Sequence, residues 1–528
     1  MERHRAELHR VELHRVELHR AEMQLVERHP VEPAGLVEPV SRRQLLLWGV
    51  SGLAATVLGT AGLARGAALL DDTAGGALAA PRELKSRGGN LGVQLTAARG
   101  PVRLGDGEAT MLRYNGMLPG PTLRLLPGDR LQVALRNDLP EATNLHVHGL
   151  HVSPQDNGDN PFVHIGAGST FNYEYELPAD HPPGVFWYHP HLHGSVAEQV
   201  SGGLYGAIIV EDPEPIAVSR ERVLMISDVS LGPAGRVRRP SSVERMMGRM
   251  GGVLLLNGQV RPRLEARPGQ RERWRVVNAC VSRFLRLRLD GQQMQLLGMD
   301  SGRYPLPRAV DEVFLAPGNR ADLLVTTAAG TSLLRTLPYN RTNVGGMGDM
   351  LGQDSGGEHT LAALVVAGQQ ARAPAPVAAR PASRDLRGVT PAATRELVFS
   401  AGLGGMVGGG PVGGPGGGPA FGRFTIDGRE FDPARTDVRA KAGSVEEWTL
   451  TNTSPMDHPI HLHIWPMQLV ETGGRPEREV LWRDVVNVPA NGQARVRIAF
   501  DDHVGRSVFH CHILDHEDNG MMAVIEVR

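Results

Sequence analysis

Cysteine is scarce in this chain: only Cys280 and Cys511 occur among its 528 residues. At most one disulfide could form, so a disulfide-stabilised scaffold is excluded. Cys511 stands between two histidines, where a thiolate is better placed as a metal ligand than as half of a bridge. Cys280, in the sequence Val-Asn-Ala-Cys-Val, is interpreted as a small buried hydrophobic residue.

An excess of charge of either sign is also missing. The 56 basic and 57 acidic residues give a formal net charge of -1. No long-range field therefore attracts the protein to nucleic acid or to an anionic surface, and we expect no nucleic-acid partner. With 41% hydrophobic residues, the chain is nevertheless apolar enough to bury a core. Its length predicts about two to four packed units.

Long apolar segments are confined to the N-terminal region. Residues 1–40 form a low-complexity tail, and its residues 1–25 repeat with a five-residue period, which matches neither a helix nor a strand. Arg42 and Arg43 then precede an apolar run, so residues 41–82 resemble a twin-arginine export signal and linker, with a membrane anchor as the alternative. Glycine, serine and threonine within the run favour a cleaved signal. We therefore expect a periplasmic or otherwise extracytoplasmic protein without stable membrane insertion.

Glycine and proline, by contrast, are abundant, with 65 and 38 residues. They favour short strands and tight turns over long helices, so an all-β fold is predicted. A segment from Gly128 to Asn137 recurs from Gly269 to Asn278 and from Gly443 to Asn452, nine residues from Gly to Asn each time. Each copy follows a second turn signal: Asn115-Gly116, Asn257-Gly258 and Asp427-Gly428. The chain thus repeats one β module three times.

Three consecutive β-sandwich domains follow from this repeat. We place them at residues 83–213, 214–372 and 392–528, with a linker at 373–391.

The repeat also indicates which units carry the candidate metal ligands. Nine residues after its asparagine, the first unit has His146-Val147-His148 and the third has His461-Leu462-His463, but the middle unit has Leu287-Arg288-Leu289. We therefore expect the two outer units to share a site and the middle unit to contribute no ligands to it.

Four His-x-His pairs occur in the two outer units: His146/His148, His189/His191, His461/His463 and His510/His512. Alternate residues of a strand point to one face, so each pair presents two imidazoles in one direction. One such pair is only suggestive, but four at matched positions predict a metal cluster.

A second set of ligands consists of Cys511, His458, His516 and Met521. One thiolate, two imidazoles and a weak thioether are typical of a mononuclear blue-copper site. Because Cys511 lies directly between His510 and His512, a short covalent path joins the two predicted sites.

These motifs resemble the multicopper oxidase family over about residues 90–528. They are His-Val-His-Gly (146–149), Trp-Tyr-His-Pro-His (187–191), His-Pro-Ile-His-Leu-His (458–463) and His-Cys-His-Ile-Leu-Asp-His-Glu-Asp-Asn-Gly-Met (510–521). The resemblance implies three cupredoxin-like Greek-key β-sandwich domains and four copper ions per chain. By the family pattern, type 1 copper is held by His458, Cys511, His516 and Met521. Type 2 copper is then held by His146 and His461, and the type 3 pair by His148, His189, His191, His463, His510 and His512.

Five further histidines of the two outer units fall outside this pattern. His193 competes with His191 for the second pair, and we follow the family in choosing the first two after Trp-Tyr. The other four have no partner at ligand spacing and are interpreted as surface or structural residues: His151, His164, His181 and His503.

The implied function is one-electron oxidation of a small reducing substrate at type 1 copper, coupled to four-electron reduction of O2 to water at a trinuclear cluster. Copper nitrite reductase is one alternative, but it lacks a thiolate flanked by cluster histidines. A non-catalytic cupredoxin scaffold or a copper-storage protein is another, but degenerate scaffolds lose ligands and all twelve positions are filled here.

The electron donor and the proton donors are predicted separately. Candidate electron donors are Cu(I), phenolic or aromatic compounds, and Fe(II). Methionines that could hand Cu(I) to the type 1 site, or that simply fill gaps, are Met246, Met247, Met250, Met347, Met350 and Met406. Glu517, next to His516, and Asp159, in the loop after His148, are the predicted proton relays, with solvated surface charges as the alternative.

Overall fold

We analysed a computed structural model, in which residues 75–342, 357–402 and 422–528 are described. The predicted all-β class is confirmed, because these residues form six sheets and only short helices. Among them, no helix is long and apolar enough to cross a membrane.

The first sandwich comprises the strands β1 (Glu83–Lys85), β2 (Asn90–Leu104), β3 (Gly107–Tyr114), β4 (Thr122–Leu125), β5 (Arg130–Asn137), β6 (His146–His148), β7 (Thr170–Glu176), β8 (Gly184–His189) and β9 (Gly206–Val210). Its sheets have the orders β3-β2-β5-β7 and β1-β4-β9-β8-β6. Along β5, buried and more exposed residues alternate, as expected of a strand with one face on a core.

The middle sandwich comprises β10 (Arg220–Val229), β11 (Val253–Leu256), β12 (Arg263–Ala266), β13 (Arg271–Asn278), β14 (Leu285–Leu289), β15 (Gln293–Met299), β16 (Gly302–Val310), β17 (Val313–Leu315), β18 (Arg320–Thr326), β19 (Gly330–Thr336) and β20 (His359–Val366). Its sheets have the orders β11-β10-β13-β18-β15-β16 and β12-β20-β19-β14-β17.

The third sandwich comprises β21 (Ala393–Ala401), β22 (Phe424–Ile426), β23 (Val438–Ala440), β24 (Ser444–Asn452), β25 (His458–Leu462), β26 (Met467–Thr472), β27 (Arg475–Arg483), β28 (Val485–Val488), β29 (Gln493–Phe500), β30 (Gly505–Cys511) and β31 (Met522–Val527). Its sheets, β22-β21-β24-β29-β26-β27 and β23-β31-β30-β25-β28, match those of the middle sandwich strand for strand.

Turn conformations and side-chain hydrogen bonds also repeat from one sandwich to the next. The turn residues Asn115, Asn257 and Asp427 have φ of 52°, 52° and 51°, the left-handed conformation that the Asn-Gly and Asp-Gly signals favour. The asparagine that ends each repeat is buried, and its side-chain amide donates to main-chain carbonyls of its own sandwich. The repeat in the sequence is therefore a repeat in structure.

Three short α-helices among the described residues are relevant to the predicted metal ligands. They are α1 (Val196–Gly202), α2 (Ser242–Met247) and α3 (Leu514–Asp518). Ser241 caps α2 in a capping box with Glu244, which fixes where this six-residue helix begins. α3 contains His516 and Glu517, and both side chains are fully buried.

Candidate metal centre

Strand pairing brings the histidine pairs together. His146 lies opposite His189 where β6 pairs with β8, and His461 lies opposite His510 where β25 pairs with β30. The two pairings occupy equivalent positions in the first and third sandwiches. All eight histidines of the four pairs are at most 1% exposed.

Imidazoles of the first sandwich stack on imidazoles of the third. The ring centroids of His148 and His461 are 3.8 Å apart, with planes inclined by 9°. Those of His146 and His463 are also 3.8 Å apart, with planes inclined by 21°. The four predicted pairs therefore meet at the contact between the two outer sandwiches.

One group of ring nitrogens converges on a single point. Nε2 of His191 lies 3.0 Å from Nε2 of His510 and 3.1 Å from Nε2 of His463. Nε2 of His463 and Nε2 of His510 are 3.2 Å apart. Three ring nitrogens this close need a shared cation or shared protons between them.

Two further groups lie beside the first. The ligand atoms of His148, His189 and His512 lie within 4.8 Å of one another. Nε2 of His146 and Nε2 of His461 are 3.4 Å apart. The eight imidazoles can therefore be divided into two groups of three and one group of two, although the ligand atoms of His148 also lie within 4.8 Å of those of His146 and His461.

The state of these imidazoles fits a metal cluster. Burial lowers the pKa of all eight, and neighbouring imidazoles or arginines lower it further in most of them. The pKa of His189 falls to about 3. Several ring nitrogens are buried with no hydrogen-bond partner among the described residues: His148 Nδ1, His189 Nε2, His191 Nδ1, His463 Nδ1 and both nitrogens of His512. Neutral imidazoles with unused lone pairs are ligands that suit copper.

Hydrogen bonds from the opposite ring nitrogen fix the orientation of several imidazoles. Nδ1 of His189 donates to Pro190 O at 2.8 Å, and Nδ1 of His510 donates to Cys511 O at 3.0 Å. Both bonds direct Nε2 toward the centre of the cluster and set the tautomer.

The thiolate site forms next to this cluster. Sγ of Cys511 lies 3.4 Å from Nδ1 of His458 and 3.7 Å from Nδ1 of His516, and the two Nδ1 atoms are 3.3 Å apart. Met521 is fully buried, its amide donates to His516 O, and its carbonyl accepts from the Cys511 amide. Burial raises the pKa of the Cys511 thiol, so a bound cation is needed to hold it as a thiolate.

Protein groups cover the outer edges of both imidazoles in this site. Nε2 of His516 donates to the carbonyl oxygen of Met246, in α2, at 3.1 Å. The ring of Phe424 stacks on that of His516 with centroids 4.2 Å apart, and Ser454 Oγ lies 2.6 Å from Nε2 of His458. α2, with the buried Met246 and Met247, and Phe424 therefore cover His516.

The predicted relay residue Glu517 is fully buried against the cluster. Its Oε2 lies 3.1 Å from Nδ1 of His510 and its Oε1 lies 3.6 Å from Nε2 of His191. Burial raises the pKa of this carboxyl well above its usual range. The surface-charge alternative is wrong for this residue.

The second predicted relay, Asp159, is also buried. Both carboxylate oxygens lie 2.9 Å from Nδ1 of His146, and Oδ1 accepts from the Val147 amide at 3.0 Å. Burial raises the pKa of this carboxyl to about 8. Asp159 therefore contacts a cluster imidazole directly and is not a solvated surface charge.

Several histidines lie outside the two groups of ligands. His193 is exposed, with its ring 4.7 Å from that of Phe431, and His164 is exposed as well. The His151 ring donates to Ile464 O and bonds to Asp502, while His181 accepts from the His151 amide. The ring of His503 lies beside that of His151, with centroids 4.5 Å apart and planes inclined by 58°.

The sequence did not indicate two residues that contact the cluster. Asp484, between β27 and β28, bonds to His148 and His461, and Arg320, at the start of β18, bonds to Asp484. Neither residue belongs to a histidine motif, and no spacing in the sequence connects them. Met347, Met350, Met406 and residues 41–74 of the predicted export signal and linker lie outside the described residues.

Models of known protein families match the chain in three places. All three are described as multicopper oxidase, and they match residues 96–215, 237–334 and 416–528, together more than half of the chain.

Individual proteins agree with these models. The multicopper oxidase mco of Staphylococcus aureus is 27% identical over 457 residues, covering 84% of this chain and 90% of that protein. A laccase of Bacillus subtilis is 26% identical, covering 78% and 89%. The structure of a Campylobacter jejuni multicopper oxidase, titled a metallo-oxidase, aligns with a TM-score of 0.73 and 29% identity, covering 86% and 96%. The chain belongs to the multicopper oxidase family and is an oxidoreductase that uses O2.

Proposed function

We propose that this enzyme holds four copper ions per chain and oxidises a small reductant by single electrons, coupled to the four-electron reduction of O2 to water. The type 1 ligands are His458, Cys511, His516 and Met521. The type 2 ligands are His146 and His461, and the type 3 ligands are His148, His189, His191, His463, His510 and His512.

The observation that carries this proposal is the grouping of the eight buried imidazoles. A division into two groups of three and one group of two suits two type 3 ions and one type 2 ion. Within one of these groups, His148 Nδ1, His189 Nε2 and both nitrogens of His512 have no hydrogen-bond partner among the described residues. Copper, when bound, supplies the one-electron chemistry and the reduction of O2. The protein holds neutral imidazoles in fixed orientations and excludes bulk water from them.

The two proposed sites are joined by the main chain itself. Cys511 carries the type 1 thiolate and is bonded by peptide links to His510 and His512, which face the cluster. This arrangement argues against a copper nitrite reductase, which has no flanking cluster ligands. A scaffold or storage role is disfavoured because every ligand position of both sites is filled and buried.

The donor is proposed to be a small reductant, with Cu(I), phenolic or aromatic compounds and Fe(II) as candidates. α2 covers Nε2 of His516 through the main chain of Met246, so a donor has to deliver its electron across this helix. Steady-state oxidation of Cu(I), Fe(II) and a phenol by one copper-loaded preparation distinguishes the candidates.

Glu517 and Asp159 are proposed as proton relays. Reduction of O2 to water consumes protons, and an imidazole that binds metal through one nitrogen supplies none while it stays bound. Oε2 of Glu517, buried 3.1 Å from the His510 ring, can hold a proton at the edge of the cluster. Asp159 does so on the side of His146, where its hydrogen bonds restrict it more.

Two further proposals concern the chain outside the site. The sandwiches are the domains predicted from the repeat, at 83–213, 214–372 and 392–528, with a linker at 373–391. The protein is exported by the twin-arginine route, because Arg42 and Arg43 precede an apolar run. Replacing both arginines by lysine should hold the protein in the cytoplasm; unchanged export would contradict this route.

The test of the proposed function is metal content. A loaded preparation should contain four coppers per chain with a blue thiolate band. Two coppers, or zinc bound at Cys511, would contradict the assignment.

A further inference from the structure

The middle sandwich has no His-x-His pair, yet one of its side chains reaches the histidine cluster. Arg320, the first residue of β18, is fully buried. Its Nη1 donates to Asp484 Oδ1 at 2.5 Å and its Nη2 donates to Asp484 Oδ2 at 2.6 Å. This is a bidentate pair, the strongest and most directional arrangement for a guanidinium and a carboxylate.

Asp484 contacts one imidazole from each outer sandwich. Its Oδ1 accepts from Nε2 of His148 at 3.0 Å, and its main-chain oxygen accepts from Nδ1 of His461 at 2.8 Å. The rings of His148 and His461 are the stacked pair whose planes differ by 9°. A single residue of the third sandwich therefore orients both rings.

The bond to Asp484 sets which nitrogen of His148 is available. Because Nε2 donates to the carboxylate, Nδ1 carries the lone pair, and it is the nitrogen left without a partner. His189 and His510 show the opposite arrangement, with Nδ1 bonded and Nε2 toward the cluster.

The surrounding backbone is shaped around this pair. A Cβ on Gly149, which has φ of 87°, would collide with Arg320 Nη2 and lie 2.8 Å from Asp484 Oδ2. A Cβ on Gly318, two residues before Arg320, would lie 2.8 Å from Nε2 of His512. Only glycine at these two positions allows the middle sandwich to approach the cluster this closely.

We propose that Arg320 and Asp484 are positioning residues that hold His148 with Nδ1 toward the type 3 pair, so that the middle sandwich controls occupancy of a site to which it gives no ligand. This inference rests on the proposed function. Arg320 fixes both carboxylate oxygens, and the fixed carboxylate fixes the ring. Such partners of metal-ligating histidines affect metal affinity by about 10–100-fold when removed.

The test replaces Arg320 by methionine and, separately, Asp484 by asparagine in the full-length, copper-loaded enzyme. Arg273→Met is the matched control, because Arg273 is also buried in the middle sandwich and also makes a bidentate pair, with Asp322. Copper per chain, the blue band and the EPR spectrum are measured. Arg320→Lys serves as the conservative variant.

We expect Arg320→Met and Asp484→Asn to weaken copper binding at the cluster by about 10–100-fold while the blue band stays. A type 3 pair that has lost one ion leaves a lone Cu(II), so a new EPR signal should appear. Arg273→Met should keep four coppers whatever it costs in stability, and Arg320→Lys should retain more copper than Arg320→Met.

Four coppers and an unchanged EPR spectrum in Arg320→Met would overturn the inference. Equal copper loss in Arg273→Met would also overturn it, since the effect would then be general destabilisation. If the wild-type enzyme itself binds no cluster copper, the proposed function has failed, and that outcome is read from the wild type alone.

Discussion

The middle and third sandwiches have the same sheets in the same order, yet only the third holds candidate ligands. Both place a buried tryptophan in the repeat, and its indole donates to a glutamate two residues earlier: Trp274 to Glu272 at 2.9 Å and Trp448 to Glu446 at 2.8 Å. The frameworks are therefore alike down to individual hydrogen bonds.

The difference lies in a few positions on two strands. β14 carries Leu287 where β25 carries His461. The residue opposite this position on the neighbouring strand differs too: Thr336 of β19 lies opposite Leu287, and His510 of β30 lies opposite His461. The leucines of β14 are buried in the apolar core of the middle sandwich. Metal binding thus depends on which residues occupy the framework that the two sandwiches share, and this framework accommodates either leucines or histidines.

The largest effect is expected from Cys511→Ser, which removes from the third sandwich a thiolate that the middle sandwich also lacks. We expect the blue band and oxidase activity to disappear, while the cluster keeps its copper, because none of its eight imidazoles is changed. Absorption and copper analysis check this. Loss of all copper would show that the two sites do not load independently.

A second change, Glu517→Gln, tests the chemistry of the third sandwich without touching a ligand. The amide fills the same buried space but holds no transferable proton, so reoxidation by O2 should slow by at least about 100-fold. Copper content and the blue band should stay. Asp159→Asn should have a milder effect. Single-turnover reoxidation at the wild-type rate would remove Glu517 from the mechanism, and copper loss would recast it as a support for the ligands.

The reverse test places a histidine in the middle sandwich, at the position that matches His461 of the third. Leu287→His puts a polar ring into an apolar core without a partner, which should destabilise the fold by about 1–3 kcal/mol. We expect no fifth copper, because Thr336 and the neighbouring leucines supply no further ligand. Denaturation in urea and copper analysis measure both effects; an added copper would show that the framework alone suffices.

Effects of similar size on stability should follow from removing the shared hydrogen bond. Trp274→Phe and Trp448→Phe each lose one bond from an indole to a buried carboxylate, which should cost about 1–3 kcal/mol in stability. Since the two environments match, the two costs should be similar. Calorimetry of both variants checks this, and a much larger loss in only one would show that the frameworks are not equivalent.

The smallest effect is expected at α2, the part of the middle sandwich that covers His516. Replacing Met246, Met247 and Met250 by leucine keeps the volume but removes the thioethers. If they guide Cu(I), KM for Cu(I) should rise about tenfold, equivalent to about 1.4 kcal/mol, with phenol turnover unchanged. Met294→Leu, buried elsewhere in the same sandwich, is the control. Equal losses for both donors would indicate a packing role.

The sequence predicted the all-β fold and the histidine pairs because both are periodic. Alternation places His146 and His148 on one strand face, and the repeat of Gly128–Asn137 shows where the matching pair lies in the third unit. The exact domain boundaries stay a prediction. Burial was harder to anticipate, since Asp159 and Glu517 are flanked by other acidic residues that suggest a surface.

Contacts between the sandwiches could not be predicted in this way. Asp484 is 336 residues from His148 and 164 from Arg320, and Met246 is 270 residues from His516. Such distances carry no periodic signal, and each residue alone resembles an ordinary loop or strand-end residue. Only docking of the three sandwiches brings them together.

The stacked rings of His148 and His461 have a thermodynamic consequence. A copper cluster whose ligands come from two sandwiches binds the docked state and not the separated one, so copper stabilises the docking by mass action. At a free copper concentration of 100 times the dissociation constant, this contribution is about 2.7 kcal/mol. The contact between the outer sandwiches should therefore be stronger at a higher copper supply, and we expect copper-free protein to be cleaved more readily at their interface than copper-loaded protein.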